Sequence, residues 1–145
     1  MFKLLKKYYK IDKKERVILN QTFFWLIYAS VLVRIIPLKW FNSVLGEFKK
    51  EIEAELNMNQ LQSIEALRKI TRQLKKRLPW KVKCFEEAIA VKKVLEKHQI
   101  KSTIYLGVSK DKNSKLIAHA WLKIGNDFIT GKKGYEKFTI VGFYS

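Results

Sequence analysis

Residues 84–124, CFEEAIAVKKVLEKHQIKSTIYLGVSKDKNSKLIAHAWLKI, contain the helix and the two strands that decide the fold. Apolar residues at helical spacing predict an amphipathic helix over residues 84–98. The residues that share its apolar stripe are Cys84, Ala88, Val91 and Leu95. Aliphatic, aromatic and β-branched residues then predict strands over residues 102–108 and 116–124, which a polar turn separates.

Two shorter stretches complete a small sheet. A turn over residues 125–127 precedes a third strand at residues 128–130, and residues 138–144 (FTIVGFY) form a fourth. Strands that follow one another in this way, next to one helix and after a run of helices, indicate an α+β fold. We expect the Cys-bearing helix to pack on this small antiparallel sheet.

The first half of the chain has a helical pattern. A helix that begins near Lys13, with Asp12 as its cap, ends before Pro37 because the residue before proline avoids helical geometry. Apolar spacing predicts two more helices, over residues 39–56 and 60–78.

Pro79 closes the last of these helices, and the pattern changes after it. We therefore divide the chain into a helical N-terminal region, residues 1–79, and a C-terminal core, residues 80–145. The core is expected to form one compact unit.

Bulk composition limits the classes of protein. The chain has 145 residues, enough for one domain, and its 48% hydrophobic content argues against wholesale disorder. A formal charge of +17 attracts anionic partners, but no nucleic-acid-binding signature accompanies the lysines, so nucleic acid is not an expected partner. One cysteine forms no internal disulfide and no signal-peptide cleavage site is evident, which favours the cytoplasm.

The uncharged run at residues 17–33, VILNQTFFWLIYASVLV, has three interpretations. It is a buried helix of the core, an interfacial helix on an anionic membrane, or a short membrane span. The membrane interpretations would make the protein membrane-associated.

A run of cations follows near the end of the third helix, with no acidic residue between them. Basic residues in a last helical turn interact favourably with the helix dipole. We interpret most of this run as a solvated face; its members are Arg72, Lys75, Lys76, Arg77, Lys81 and Lys83.

Cys84 and His119 are the candidate catalytic pair. His98 lies fourteen residues after Cys84 on the same helix, about 21 Å away at ~1.5 Å per residue, so it is too distant to serve as the base. A cysteine in the first helical turn gains from the positive end of the helix dipole, which favours the nucleophilic thiolate. Ordinary core packing of both side chains is the alternative.

Three motifs carry a family resemblance: C-F-E-E-A-I-A-x₄-L from Cys84, I-Y-L-G-V from Ile104, and A-H-A-W-L around His119. Together they resemble the lasso-peptide leader peptidases of the transglutaminase-like superfamily, whose papain-like core would correspond to residues 80–145. The resemblance covers residues 84–124 well and the N-terminal helices loosely.

The resemblance implies a Cys-His-Asp protease that removes the leader from a ribosomally made lasso-type precursor peptide. Cys84 would be the nucleophile and His119 the general base and acid. The Cys84 backbone N–H would stabilise the oxyanion, with the indole N–H of Trp80 as a further donor, and Trp121 would line the pocket on the same face as His119. No metal and no cofactor is implied.

The acidic member of the triad departs from the family pattern, because no Asp or Glu lies in residues 128–135. A tight turn at residues 125–126 places Gly131 or Lys132 across from His119. Asp127 is the candidate acid. Glu136, Thr130 or a backbone carbonyl are the alternatives that would orient the imidazole.

The resemblance also implies partners. They are the precursor peptide, a separate leader-recognition protein and, in the same pathway, the macrocyclising enzyme. Two other functions remain open: acyl transfer to an amine by the same Cys84–His119 pair, and a non-catalytic basic module that binds a protein or a membrane surface.

Overall fold

Residues 2–48 and 55–145 are described by the computed structural model, and in this part of the chain the helices come first and the strands last. The helices are α1 (Phe2–Tyr9), α2 (Lys13–Ile35), α3 (Leu38–Leu45), α4 (Met58–Arg77) and α5 (Cys84–Lys97). The strands are β1 (Thr103–Lys110), β2 (Leu116–Ile124), β3 (Asp127–Thr130) and β4 (Thr139–Tyr144), with a 3₁₀ turn at Tyr135–Lys137. The predicted α+β fold is confirmed.

The strands of the described chain form one antiparallel sheet in the order β3-β2-β1-β4. β1 and β2 form a hairpin in which Gly107 lies directly opposite His119. A Cβ atom on Gly107 would lie 2.8 Å from the indole ring of Trp121. Glycine is therefore required here, because the indole crosses the strand at that residue.

α5 lies between the sheet and the N-terminal helices. It packs on β2 on one side and on α2 and α4 on the other. Leu26 of α2, Ile89 of α5 and Leu122 of β2 belong to the same buried cluster, and each exposes 1% of its surface or less. The division of the chain between residues 79 and 80 stays a prediction, and apolar contacts cross it.

α2 is capped as its sequence predicts. The Asp12 carboxylate accepts a hydrogen bond from the backbone N–H of Lys14 at 3.0 Å, which satisfies one of the donors that a helix start leaves free. The helix ends at Ile35, two residues before Pro37.

α2 has two apolar faces with different surroundings. One face is buried in the core through Leu26, Ala29 and Leu32, as expected of a core helix. The other face leaves Phe24 59% exposed and Val31 52% exposed. By length and composition alone, α2 could also cross a membrane.

The helix predicted over residues 39–56 is shorter in the structure. It ends at Leu45 because Gly46 adopts a φ of +112°, and residues 49–54 lie outside the described part of the chain. Glu47 instead exchanges two backbone hydrogen bonds with Ser145, of 2.8 and 3.1 Å. A β-bridge between Phe48 and Tyr144 continues this pairing, which long-range contacts impose on a segment of helical pattern.

Candidate active site

Cys84 is the first residue of α5 and is a free, half-buried thiol. The helix begins there because Lys83 is extended and its backbone N–H donates to the Glu86 carboxylate at 3.2 Å. At the first helical position a backbone N–H has no acceptor within its own helix. The Cys84 N–H therefore lies beside the thiol as a candidate oxyanion donor.

Within the described residues, one hydrogen bond orients His119. Its Nε2 lies 2.8 Å from the carbonyl oxygen of Gly131. A carbonyl only accepts, so Nε2 must carry the proton, and the neutral ring then has its lone pair on Nδ1. The rings of Trp121 and Phe138 flank the imidazole at centroid distances of 5.8 and 5.0 Å.

Gly131 supplies that carbonyl through a conformation that favours glycine. Its φ is +71°, and a Cβ atom would lie 2.4 Å from the carbonyl oxygen of Ala120. The register between β2 and β3 shifts between Leu122 and Lys123, which changes the offset of the residues that follow. The predicted register places Gly131 or Lys132 opposite His119, and in the structure it is the Gly131 carbonyl that contacts the imidazole.

None of the three side chains considered as orienters of His119 forms a hydrogen bond with its ring within the described residues. Asp127 pairs with Ile124 at the exposed start of β3, and Glu136 is exposed in the 3₁₀ turn. Thr130 is buried, and its hydroxyl has no hydrogen-bond partner within the described residues. Of the alternatives, it is a backbone carbonyl that contacts the imidazole. The chain has no Asp or Glu in residues 128–135, the segment that follows the start of β3.

Cys84 and His119 line the same open cleft, whose volume is about 730 Å³. Residues of α4 and of the segment from Phe128 to Lys133 form its walls. In the described part of the chain no hydrogen bond joins the thiol to the imidazole. The structure thus brings the predicted nucleophile and base into one cavity.

A family model agrees with this arrangement. The model of the transglutaminase-like superfamily matches residues 31–142, from the second half of α2 into β4. The chain belongs to the transglutaminase-like superfamily. Members of this superfamily include cysteine proteases and acyltransferases, which is consistent with a cysteine-based catalytic fold. No curated protein and no solved structure matches the chain.

The transglutaminase-like core contains a buried polar network that sequence reasoning missed. The Glu86 side chain is fully buried and accepts hydrogen bonds from Ser30 Oγ at 3.0 Å and from Arg34 Nε at 2.9 Å. Arg34 also donates to the carbonyl of Lys81 at 3.1 Å. The network joins α2 to the start of α5 and so positions the residue that carries the thiol. An acid in the third position of a predicted helix was the available signal.

Trp80 belongs to this network and not to the cleft of the transglutaminase-like site. Its indole N–H donates to Ser30 Oγ at 3.0 Å, so it is engaged and does not serve as the oxyanion donor suggested by the sequence. Trp121 is 2% exposed and stacks on Tyr105 behind His119. Neither indole is among the described residues that line the cavity, and Trp121 supports the imidazole from the side.

Proposed function

We propose that this chain is a cysteine peptidase that removes the leader from a ribosomally made, lasso-type precursor peptide. The observation that supports peptidase chemistry is that Cys84 and His119 line one open cleft, with the His119 ring oriented by the Gly131 carbonyl. The leader-peptide substrate is suggested by the three sequence motifs around Cys84, Ile104 and His119.

The reaction begins with transfer of the Cys84 proton to Nδ1 of His119. The thiolate attacks the carbonyl carbon of the scissile peptide bond, and the negative charge moves to the carbonyl oxygen. Collapse of this intermediate breaks the C–N bond, and the imidazolium protonates the leaving amine. Water, deprotonated by the same imidazole, then hydrolyses the thioester, which releases the leader as a carboxylate and restores Cys84.

Two main-chain groups stabilise the charges of this reaction. The Cys84 N–H, at the positive end of α5, would donate a hydrogen bond to the oxyanion. The Gly131 carbonyl accepts from Nε2 throughout and stabilises the imidazolium. A neutral acceptor keeps the ring tautomer but contributes less electrostatic stabilisation than a carboxylate would.

The test is a reaction of the purified chain with a candidate precursor peptide, with and without a candidate recognition protein, followed by mass spectrometry. Hydrolysis in ¹⁸O-labelled water places the label on the new carboxylate of the leader. Cys84→Ala should abolish the product, and Lys112→Glu, an exposed substitution in the β1–β2 turn, should not. An amine adduct in place of the labelled acid would instead support the acyltransferase interpretation.

Complete absence of both products, with every recognition partner tested, would favour the non-catalytic module. The separate leader-recognition protein and the macrocyclising enzyme are partners that follow from the same proposal.

The location of the protein is a second proposal, which rests on α2. Its exposed stripe, with Phe24, Ile27, Val31 and Ile35 at helical spacing, is flanked by the exposed cations Lys13 and Lys39. An apolar stripe between cations suits the interface of an anionic membrane. The protein would then be a cytoplasmic enzyme that binds the membrane surface through α2.

A further inference from the structure

Cations dominate the cleft that contains Cys84 and His119. Six of the fifteen residues that line it are basic, and Glu87 is the acidic one among them. Over the whole chain the ratio is 30 basic to 13 acidic residues, so the cleft is more basic than the composition requires. The six cations are Arg68, Arg72, Lys75 and Lys76 of α4 and Lys132 and Lys133 after β3.

Part of this charge is already used within the protein. Lys75 forms an ion pair with Glu87, and Arg68 donates to Glu65 and to the carbonyl of Phe128. Arg72, Lys76 and Lys133 are exposed, and none has an ion-pair partner within residues 2–48 and 55–145. These cations are therefore available to a ligand.

The four cations of α4 form one wall of the cleft, the basic wall, and the contacts of Arg68 and Lys75 show how far it extends. Lys75 lies against Glu87, one helical turn after Cys84, whereas Arg68 lies against Phe128 in β3. Seven residues of helix separate the two cations, which is about 10 Å at ~1.5 Å per residue. An extended peptide rises about 3.3 Å per residue, so about three of its residues fit along this wall.

Two residues that line the same cleft carry buried hydroxyl groups. Thr71 and Thr130 are 4% and 8% exposed, and neither hydroxyl has a hydrogen-bond partner in the described part of the chain. Buried polar groups in proteins are usually paired. Both hydroxyl oxygens are closed off from solvent, so the exposed cations are the groups of the cleft that a bound peptide would contact.

We infer that this cleft selects acidic peptides, with carboxylate side chains within about three residues of the scissile bond. The inference rests on the proposed peptidase function, whose substrate class it narrows. Clustered cations in a cleft concentrate anions there, and the planar guanidinium of Arg72 suits a carboxylate. A leader rich in Asp and Glu near its end has this chemistry.

Binding can be measured without turnover, on the Cys84→Ala variant. The probes are a short fluorescein-labelled peptide in which glutamate alternates with serine, and the same peptide with glutamine. Two double variants have equal net charge. Arg72→Glu with Lys76→Glu changes the cleft, and Lys101→Glu with Lys112→Glu changes exposed lysines that do not line it.

We expect the glutamate peptide to bind about tenfold more tightly than the glutamine peptide, by fluorescence anisotropy at low salt. The cleft variant should lose most of that preference, and the control variant should keep it. Equal binding of the two peptides would overturn the inference. Equal loss in both double variants would also overturn it, because the attraction would then come from the overall charge.

The same peptides separate this inference from the peptidase proposal. If wild-type protein cleaves glutamate and glutamine peptides at the same rate, the peptidase stands and the acidic preference fails. If the glutamate peptide binds in the cleft and protects Cys84 from alkylation, but precursor peptides stay uncleaved with every recognition partner, the preference stands and the peptidase proposal fails.

Discussion

The buried carboxylate of Glu86 gives the sharpest test of how α5 is held. Glu86→Ala removes the acceptor of Ser30 Oγ, which is itself buried, and the partner of Arg34 Nε at 2.9 Å. A buried donor left without an acceptor costs about 1–3 kcal/mol. Arg34 is 41% exposed and regains water, so its share of the loss is smaller than for a fully buried ion pair.

We therefore expect Glu86→Ala to lower the free energy of unfolding by about 3 kcal/mol. For a domain of this size that corresponds to a fall in Tm of about 10 °C, measured by differential scanning calorimetry. The matched control is Glu87→Ala, the next residue, whose carboxylate is 15% exposed and pairs with the more exposed Lys75. Glu87→Ala should lower the free energy of unfolding by about 1 kcal/mol or less.

Equal Tm values for Glu86→Ala and Glu87→Ala would refute this account of α5. The result would mean that apolar packing of α5 on α2 holds the Cys84 end, and that the buried network contributes nothing measurable. A Glu86→Gln variant keeps an acceptor oxygen but loses the charge, so its Tm should lie between those of wild type and Glu86→Ala.

Three further predictions concern separate parts of the chain. Gly131→Ala places a Cβ 2.4 Å from a neighbouring carbonyl oxygen, so the backbone there must shift. At temperatures below Tm, the rate of peptide hydrolysis should fall about tenfold or more. An unchanged kcat/KM would count against the role of the Gly131 carbonyl. Burial lowers the pKa of His98 from 6.5, so its contribution to stability is present above pH 6.5 and is lost as pH falls through the lower folded-state pKa. Urea denaturation should show that His98→Gln weakens this acid sensitivity, and identical pH profiles would contradict it. Phe24→Ser with Val31→Ser should reduce co-sedimentation with phosphatidylglycerol vesicles, whereas Val141→Ser, at an exposed site on β4, should not; equal binding would exclude α2 as the contact.

The local pattern of the chain predicted most of the fold. The strand at residues 116–124 has the predicted ends, and the helix predicted over residues 84–98 ends one residue earlier in the structure. These elements combine regular apolar spacing with clear turn signals, so local preference and tertiary packing agree. The helix predicted over residues 39–56 failed after Leu45, because Gly46 and its backbone pairing with the C-terminus depend on contacts distant in sequence.

The candidate site was predictable only in its reactive side chains. Rarity and motif context single out Cys84 and His119, and the structure places both on one cleft. The group that orients the imidazole is the main-chain carbonyl of Gly131. Every residue has such a carbonyl, so the residue type does not show which one is used. The basic wall of α4 looked like a solvated face, because helical periodicity does not show which exposed stripe faces the nucleophile.

The alkylation rate of Cys84 near neutral pH tests the central claim, that Cys84 and His119 act as a pair, most directly. Cys84 is the single cysteine of the chain, so iodoacetamide incorporation measured by mass spectrometry reports that thiol alone. His119→Asn should slow alkylation about tenfold or more while Tm stays close to wild type, because the imidazole no longer stabilises the thiolate. Equal rates in the two folded proteins would contradict the catalytic pairing of Cys84 with His119.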